Sequence, residues 1–81
     1  MYYLVEFNSI TFAKRVREKY RYGREYISIM HTPSSIANGT CSYSVRVKGD
    51  MVDRVVAAAS DMGFKVKGIF REDGQGNYTP I

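Results

Sequence analysis

The sequence predicts an α+β domain of the ferredoxin-like type, in which a four-stranded antiparallel sheet carries two helices on one face. The first observation is the spacing of the apolar residues, which alternate in some segments, as in strands, and recur every three or four residues in others, as in helices. Along the chain these segments give the order strand, helix, strand, strand, helix, strand. The second observation is a glycine at the end of each predicted helix. A chain of 81 residues suits a single small domain, which we assign to residues 1–72.

The first half of the chain reads as strand, helix, strand. Residues 2 to 7 are rich in aromatic and branched side chains and predict the first strand. Asn8 and Ser9 end this strand and offer an N-cap for a helix that continues to Gly23. Its apolar stripe consists of Ile10, Ala13, Val16 and Tyr20. Residues 25 to 30 alternate again and predict the second strand, which leads into a long loop.

The second half begins with the cleanest alternation in the chain. One face of the third predicted strand holds Tyr43, Val45 and Val47. Gly49 then turns the chain into the second helix, where Asp50 and Asp53 resemble an acidic capping arrangement at the positive helix end. The apolar stripe of this helix consists of Val52, Val55, Val56, Ala59 and Met62. Gly63 closes the helix.

The last predicted strand covers residues 64 to 71, and its alternation directs Phe64, Val66 and Phe70 toward the core. Residues 73–81 are polar, contain two glycines and a proline, and predict a flexible C-terminal tail. The sheet face away from the helices would then collect basic side chains. These are Arg46, Lys48, Lys65, Lys67 and Arg71.

The loop between the second and third strands is the candidate functional segment. It runs from His31 to about Thr40, whereas strand-to-strand hairpins usually need about 2 to 5 residues. Thr32 is a good N-cap and Pro33 suits a first helical position, so the loop predicts one helical turn. Asn38 and Gly39 can end that turn, and Ser34, Ser35 and Thr40 add hydroxyl groups that shape the loop.

Cys41, the single cysteine, follows this stop signal directly. A cysteine attacks as its thiolate, so a reactive Cys41 needs help from its surroundings, for which His31 and the helical turn are candidates. A lone cysteine is more often a buried small apolar residue, and His31 is as readily a strand-end residue bonded to backbone. The alternation that places Tyr43 toward the core would do the same to Cys41, unless Gly39 kinks the loop. Both interpretations stay open at this point.

Composition excludes several classes of function. One cysteine and one histidine provide neither an internal disulfide nor a structural metal site, and no glycine motif typical of a phosphate loop opens a helix. We therefore expect no metal, no cofactor and no classical enzyme active site. The N-terminal residues do not read as a signal peptide and no apolar run is long enough for a membrane helix, so a cytoplasmic location without membrane contact is expected.

Three segments together resemble a small bacterial family of selenium/sulfur carrier-like proteins. They are Tyr2-Tyr3-Leu4-Val5-Glu6-Phe7, then Thr32-Pro33-Ser34-Ser35-Ile36 with Cys41, then Gly63-Phe64 with Gly68-Ile69-Phe70-Arg71. The resemblance implies a cytoplasmic carrier whose Cys41 holds sulfur or selenium as a persulfide or selenopersulfide. It also implies donor and acceptor proteins as partners. The chain departs from the family pattern at Ser34, where a basic residue is common, and at Ser42, where a glycine is common.

Two further classes of function compete with the carrier. The net charge is +4, and six of the twelve Lys and Arg residues lie between Lys14 and Arg24. A solvated helix face explains that cluster most simply, although a basic ferredoxin-like module could also bind RNA. Tyr43 faces the core, however, so the stacking aromatic residues of an RNA-binding sheet are missing. The other alternative is an interaction domain or homodimer in which Cys41 is incidental.

Overall fold

The computed structural model describes residues 2–20, 27–33, 36 and 42–81. Strand β1 is Tyr2–Phe7, helix α1 is Ile10–Lys19, strand β2 is Ser28–His31 and strand β3 is Tyr43–Lys48. A 3-10 turn at Gly49–Met51 leads into helix α2, Val52–Asp61. Strand β4 is Gly68–Glu72 and strand β5 is Tyr78–Pro80. The predicted α+β class with two helices is confirmed.

The strands form one antiparallel sheet in the order β2-β3-β1-β4-β5. Strand β1 occupies the centre, with β3 on one side and β4 on the other. The prediction of four strands was incomplete, because β5 pairs with β4 at the edge of the sheet. The sheet thus departs from the four-stranded ferredoxin-like arrangement by one added edge strand.

Both helices pack on the same sheet face and form the main core with it. Val5 and Phe7 of β1 are fully buried there, as are Val45 and Val47 of β3. The helices contribute the buried side chains Ala13, Val16, Val55 and Ala59. The predicted stripe of α1 is confirmed for Ala13 and Val16, whereas Ile10, in the first turn, is 37% exposed.

The helix boundaries follow local capping chemistry. The Ser9 hydroxyl accepts the Thr11 N–H at 3.1 Å, which is the predicted N-cap of α1. Helix α1 ends at Lys19 with Tyr20 as its C-cap, and the predicted end at Gly23 lies outside the described residues. Asp53 lies in the first turn of α2 and Asp50 in the preceding 3-10 turn, so the predicted acidic groups are at the positive helix end, but neither cap residue, Lys48 or Met51, makes a side-chain capping bond.

Gly63 ends α2 as predicted, in the left-handed conformation with φ of 77°. Its N–H donates to the Ser60 carbonyl at 3.0 Å, and the Phe64 N–H donates to the Ala59 carbonyl at 2.8 Å. This pair of bonds is the Schellman motif, which satisfies carbonyl groups that the helix end would leave unpaired. Phe64 is thereby directed back onto the core, where its ring stacks on Phe12 with centroids 4.2 Å apart.

The last strand differs from its prediction in both extent and facing. Phe64 and Val66 pack on the core as expected, but the segment 64–67 is not paired as a strand. In β4, Ile69 lies opposite Val5, and Phe70 lies opposite Leu4. Because directly paired residues share a face, Phe70 lies on the face away from the helices. Arg71, predicted on that outer face, lies opposite Tyr3 on the helix side.

The outer sheet face is covered in its centre and is not the open basic surface that alternation predicted. Leu4 has no exposed surface. Arg46 of β3 reaches across β1 to Glu72 of β4, with its Nε and Nη2 atoms 3.1 and 2.9 Å from one carboxylate oxygen. The Arg46 guanidinium also lies 3.7 Å from the centre of the Tyr2 ring. The Arg46 guanidinium therefore forms an ion pair with Glu72 and a cation–π contact with Tyr2.

Residues 73–81, predicted as a flexible tail, contain a turn and strand β5. The Asp73 carboxylate accepts the N–H groups of Gln75 at 2.8 Å and Asn77 at 2.9 Å. The Asp73 N–H donates to the Asn77 carbonyl, and Gly76 supplies a φ of 83°. A strand of three residues that ends in proline is too short to show an alternating pattern, so the sequence did not predict β5.

Leu4→Ala should lower the free energy of unfolding by about 2 to 5 kcal/mol, because it opens a cavity on the covered outer face. Urea denaturation measures this loss. Lys48→Ala is the matched control on the same face, since Lys48 is exposed, and it should change stability by no more than about 0.5 kcal/mol. A similarly small effect of Leu4→Ala would show that the outer face is open in solution.

Asp73→Ala should lower the denaturation midpoint at pH 7, with the effect disappearing in acid. The bonds from Asn77 and Gln75 hold the pKa of Asp73 below its ordinary value of 3.8. The folded pKa is depressed, so this stabilisation is present above about pH 3.8 and is lost as the pH falls through the folded value. Asp73→Asn keeps an oxygen acceptor without the charge, so it should cost less stability than Asp73→Ala at pH 7, while its difference from wild type should change over the same acid range. Parallel pH profiles for wild type and Asp73→Ala would contradict the assignment.

Candidate functional site

The candidate loop leaves and re-enters the sheet at one closed point. The Thr32 N–H donates to the Ser42 carbonyl at 3.0 Å, directly after the last paired residues of β2 and β3. The Thr32 and Ser44 hydroxyl groups lie 2.8 Å apart, and both residues are buried. These bonds fix both ends of the segment 33–41 to the same place on the sheet.

The described part of the loop is consistent with the predicted helical turn, most of which lies outside the described residues. The Ile36 N–H donates to the Pro33 carbonyl at 3.0 Å, and Ile36 has helical conformation. Thr32 contacts Ser44 across the sheet, and the capping bond predicted for it would end outside the described part of the chain. The other predicted loop and site residues also lie outside it. They are Ser34, Ser35, Asn38, Gly39, Thr40 and Cys41.

A buried carboxylate lies directly beneath the returning end of the loop. Glu6, near the end of the central strand, is only 3% exposed. The Ser42 hydroxyl donates to Glu6 Oε2 at 2.6 Å, and Lys67 Nζ lies 3.6 Å from the same oxygen. The Lys67 N–H also donates to the Glu6 carbonyl at 2.8 Å. Burial of a charged group is costly without such partners, so the hydrogen bond and the cation offset its desolvation.

Gly68 shapes the floor of this polar site. A Cβ atom at Gly68 would lie 3.1 Å from the Phe70 ring and 3.5 Å from Glu6 Oε1. The missing side chain therefore leaves room for the Phe70 ring to lie against the strand beside the carboxylate. The site is thus bounded by Ser42 on the β3 side and by Gly68 with Phe70 on the β4 side.

His31 does not share this face of the sheet. It lies opposite Tyr43 in the pairing of β2 with β3, whereas Glu6 lies opposite Ser44 on the other face. The His31 and Tyr43 rings pack with centroids 4.6 Å apart, and His31 is exposed. The observed contact of His31 is thus with an aromatic ring at the end of β2. No described contact joins His31 to the Glu6 site.

Sequence reasoning missed Glu6, Ser42 and Lys67 as a group. A usable signal was present, because Glu6 interrupts an otherwise apolar strand and has the parity of Leu4. The pairing of Glu6 with Ser42 joins residues that are 36 positions apart. Local periodicity carries no information about a contact at that separation.

Within the described residues, no group of three or more His, Cys, Asp or Glu side chains could hold a metal ion. Every buried side-chain nitrogen or oxygen in that part of the chain has a hydrogen-bond partner. None of the described helices is both long and apolar enough to cross a membrane. Farther along the outer face, burial and the nearby Glu72 carboxylate raise the pKa of Tyr78.

Thr32→Val should destabilise the domain by about 1 to 3 kcal/mol, because it removes the hydroxyl that buried Ser44 contacts. Ser44→Ala should have a similar cost, and the double variant should cost less than the sum by at least about 0.5 kcal/mol. Urea denaturation of the four proteins measures the coupling. Thr79→Val, on exposed β5, is the control and should be near neutral. Additive losses would mean that the two hydroxyl groups do not bond in solution.

The comparisons with known proteins were made against families, curated proteins and solved structures. The family model described as "Putative Se/S carrier protein-like" matches residues 2–71. Neither a curated protein nor a solved structure matches the chain. The family match covers both loop ends, Cys41 and the strands that carry the Glu6 site. The chain therefore belongs to the Se/S carrier protein-like family.

Proposed function

We propose that this protein is a sulfur or selenium carrier that holds its cargo covalently on Cys41 and delivers it to an acceptor enzyme. The observation that carries the proposal is the family match over residues 2–71, a range that includes Cys41. The closed base of the loop gives further support, because bonds from Thr32 and Ser42 anchor the segment that contains the cysteine. A small domain with one cysteine suits a carrier better than an enzyme with a deep cleft.

The loading step is an exchange between a thiolate and a persulfide. The Cys41 thiolate attacks the terminal sulfur of a donor persulfide, R–S–SH, and forms a new S–S bond to that sulfur. The donor S–S bond breaks, and its electron pair leaves with the donor as the thiolate R–S⁻. Cys41 then carries –S–SH, and the exchange needs no external oxidant or reductant. A donor selenopersulfide, R–S–SeH, transfers selenium by the same sequence of bonds.

The carrier works in this proposal without a metal or cofactor and within the cytoplasm, where thiols stay reduced. Its partners are the donor that supplies the persulfide and the enzyme that accepts the cargo. The βαββαβ order of β1 to β4 with two helices is that of a ferredoxin-like domain, to which β5 adds an edge strand. In this proposal the segment 33–41, which contains Cys41, is the part of the domain that donor and acceptor proteins reach.

The observed contacts favour the carrier over a nucleic-acid-binding sheet. On the outer face, Arg46 is paired with Glu72 and Lys67 with Glu6, so these two cations already have anionic partners. Tyr43, at the position where a stacking ring would be useful, packs toward the helices. The exposed cations of α1 are the other basic surface. They are Lys14, Arg15, Arg17 and Lys19.

Incubation of the reduced protein with a sulfane-sulfur donor should add the mass of one sulfur atom to wild type, because Cys41 is the single thiol. A selenopersulfide donor should add the mass of one selenium atom. Intact mass spectrometry measures the adduct, which a thiol reductant should remove. Cys41→Ser is the control, and it should stay unmodified with the same fold.

Absence of any adduct on folded wild type would overturn the proposal, provided that the donor modifies a free low-molecular-weight thiol in the same tube. Resistance of Cys41 to an alkylating probe until the protein unfolds would give the reason. Retention of an RNA oligonucleotide that weakens steeply with salt would then support the basic surface of α1 as the functional one.

A further inference from the structure

We propose that Glu6 is a positioning residue for Cys41, to which it is coupled through the neighbouring residue Ser42. The inference rests on the proposed carrier function, because Glu6 can affect cargo transfer only if Cys41 carries the cargo. Its starting point is that a carboxylate lies almost fully buried where the candidate loop rejoins the sheet.

Ser42 is held from two sides. Its hydroxyl donates to Glu6 Oε2 at 2.6 Å, and its carbonyl accepts the Thr32 N–H at 3.0 Å. Ser42 itself is 2% exposed, so water does not compete freely for either bond. Consecutive Cα atoms are about 3.8 Å apart, so bonds that hold Ser42 also limit the positions open to the Cα atom of Cys41.

The charge of Glu6 acts on the cysteine as well. Covalent geometry keeps the Cys41 sulfur within about 12 Å of the Glu6 carboxylate. A negative charge at this range disfavours the thiolate, so we expect the Glu6 charge to raise the pKa of the Cys41 thiol. Lys67 opposes this effect, because its ammonium group lies 3.6 Å from the same carboxylate oxygen. Glu6 and Lys67 therefore act on Cys41 with opposite signs.

Other titratable or charged groups share the outer face and are left unchanged in the test below. They are Tyr2, Arg46, Lys48, Glu72 and Tyr78. Arg46 and Glu72 are paired with each other, and they lie nearer the opposite end of β1. His31 lies on the helix face. Glu6 bonds the loop end through Ser42, and Lys67 is ion-paired with Glu6.

A raised thiol pKa has a consequence for a carrier. During delivery, an acceptor thiolate attacks the terminal sulfur of Cys41–S–SH, and the Cys41 thiolate leaves. A leaving thiolate of higher pKa departs more slowly, so the Glu6 charge slows the loss of cargo to small thiols in solution. An acceptor protein that displaces or neutralises this charge would release the cargo faster.

The test is the pH dependence of Cys41 alkylation by iodoacetamide in the reduced full-length protein. Glu6→Gln keeps an oxygen that can accept from Ser42 but removes the charge, and it should lower the Cys41 pKa by about 0.5 to 1 unit. Alkylation at pH 7 should then be about two- to fourfold faster. Lys67→Met should shift the pKa upward, and it keeps the inference testable if Glu6→Gln does not fold.

Leu4→Ala is the matched control, since Leu4 is fully buried on the same sheet face, two residues before Glu6, and its truncation changes neither a charge nor a bond of the loop ends. It should lower stability and leave the Cys41 pKa unchanged. Opposite pKa shifts in Glu6→Gln and Lys67→Met support the inference. An unchanged pKa in both, with lower stability, would overturn it and leave Glu6 a purely structural residue.

Alkylation does not require cargo, so this result is independent of the sulfur-transfer assay. If wild type gains the sulfur adduct but the pKa values do not move, the carrier proposal stands and the role of Glu6 falls. If the pKa values move but no adduct forms, the carrier proposal falls, and the role of Glu6 in cargo retention falls with it.

Discussion

Strand β1 is the element on which the rest of this small domain depends. It is bonded to β3 on one edge and to β4 on the other, and its last four residues are buried on both sheet faces. Val5 and Phe7 join the core beneath the helices, whereas Leu4 and Glu6 point to the outer face. One short strand thus supplies apolar burial on one side and a buried carboxylate on the other. Burial on both faces gives an 81-residue chain more apolar contact than a sheet with one wet face would provide.

The two faces of the sheet are stabilised by different interactions. The helix side is an ordinary apolar core, in which the Schellman turn after α2 returns Phe64 to stack on Phe12. On the outer side, charged side chains form ion pairs, between Glu72 and Arg46 and between Lys67 and Glu6. This pairing leaves the net charge of +4 unchanged but gives anionic partners to two cations that alternation had placed on an open outer face. It also places the buried polar network at the base of the loop, where a fixed geometry has functional value.

A carrier needs a reactive atom that its partners can reach, and a scaffold that keeps its conformation when a partner binds. The loop ends meet at Thr32 and Ser42, so the cysteine segment leaves the sheet at the end of the β2–β3 ladder. The surrounding strands belong to the range that the family match covers. In the proposed carrier, the cysteine that bears the cargo is one peptide unit away from Ser42, which the sheet holds. Under that proposal, the scaffold would tune the thiol without contributing a reacting group.

Much about this protein was determined by the sequence alone, because periodicity and capping are local. The α+β class, the stripe of α1, the Ser9 cap and the glycine turn after α2 all follow from neighbours within a few residues. The same is true of the loop length and of the family resemblance around Cys41. Only the tertiary structure decided the facing of Phe70, because the segment 64–67, which is not part of a strand, breaks the alternation before β4. It also decided the bond from Ser42 to Glu6, since hydrogen bonds between distant residues depend on strand order and register, which no local pattern encodes.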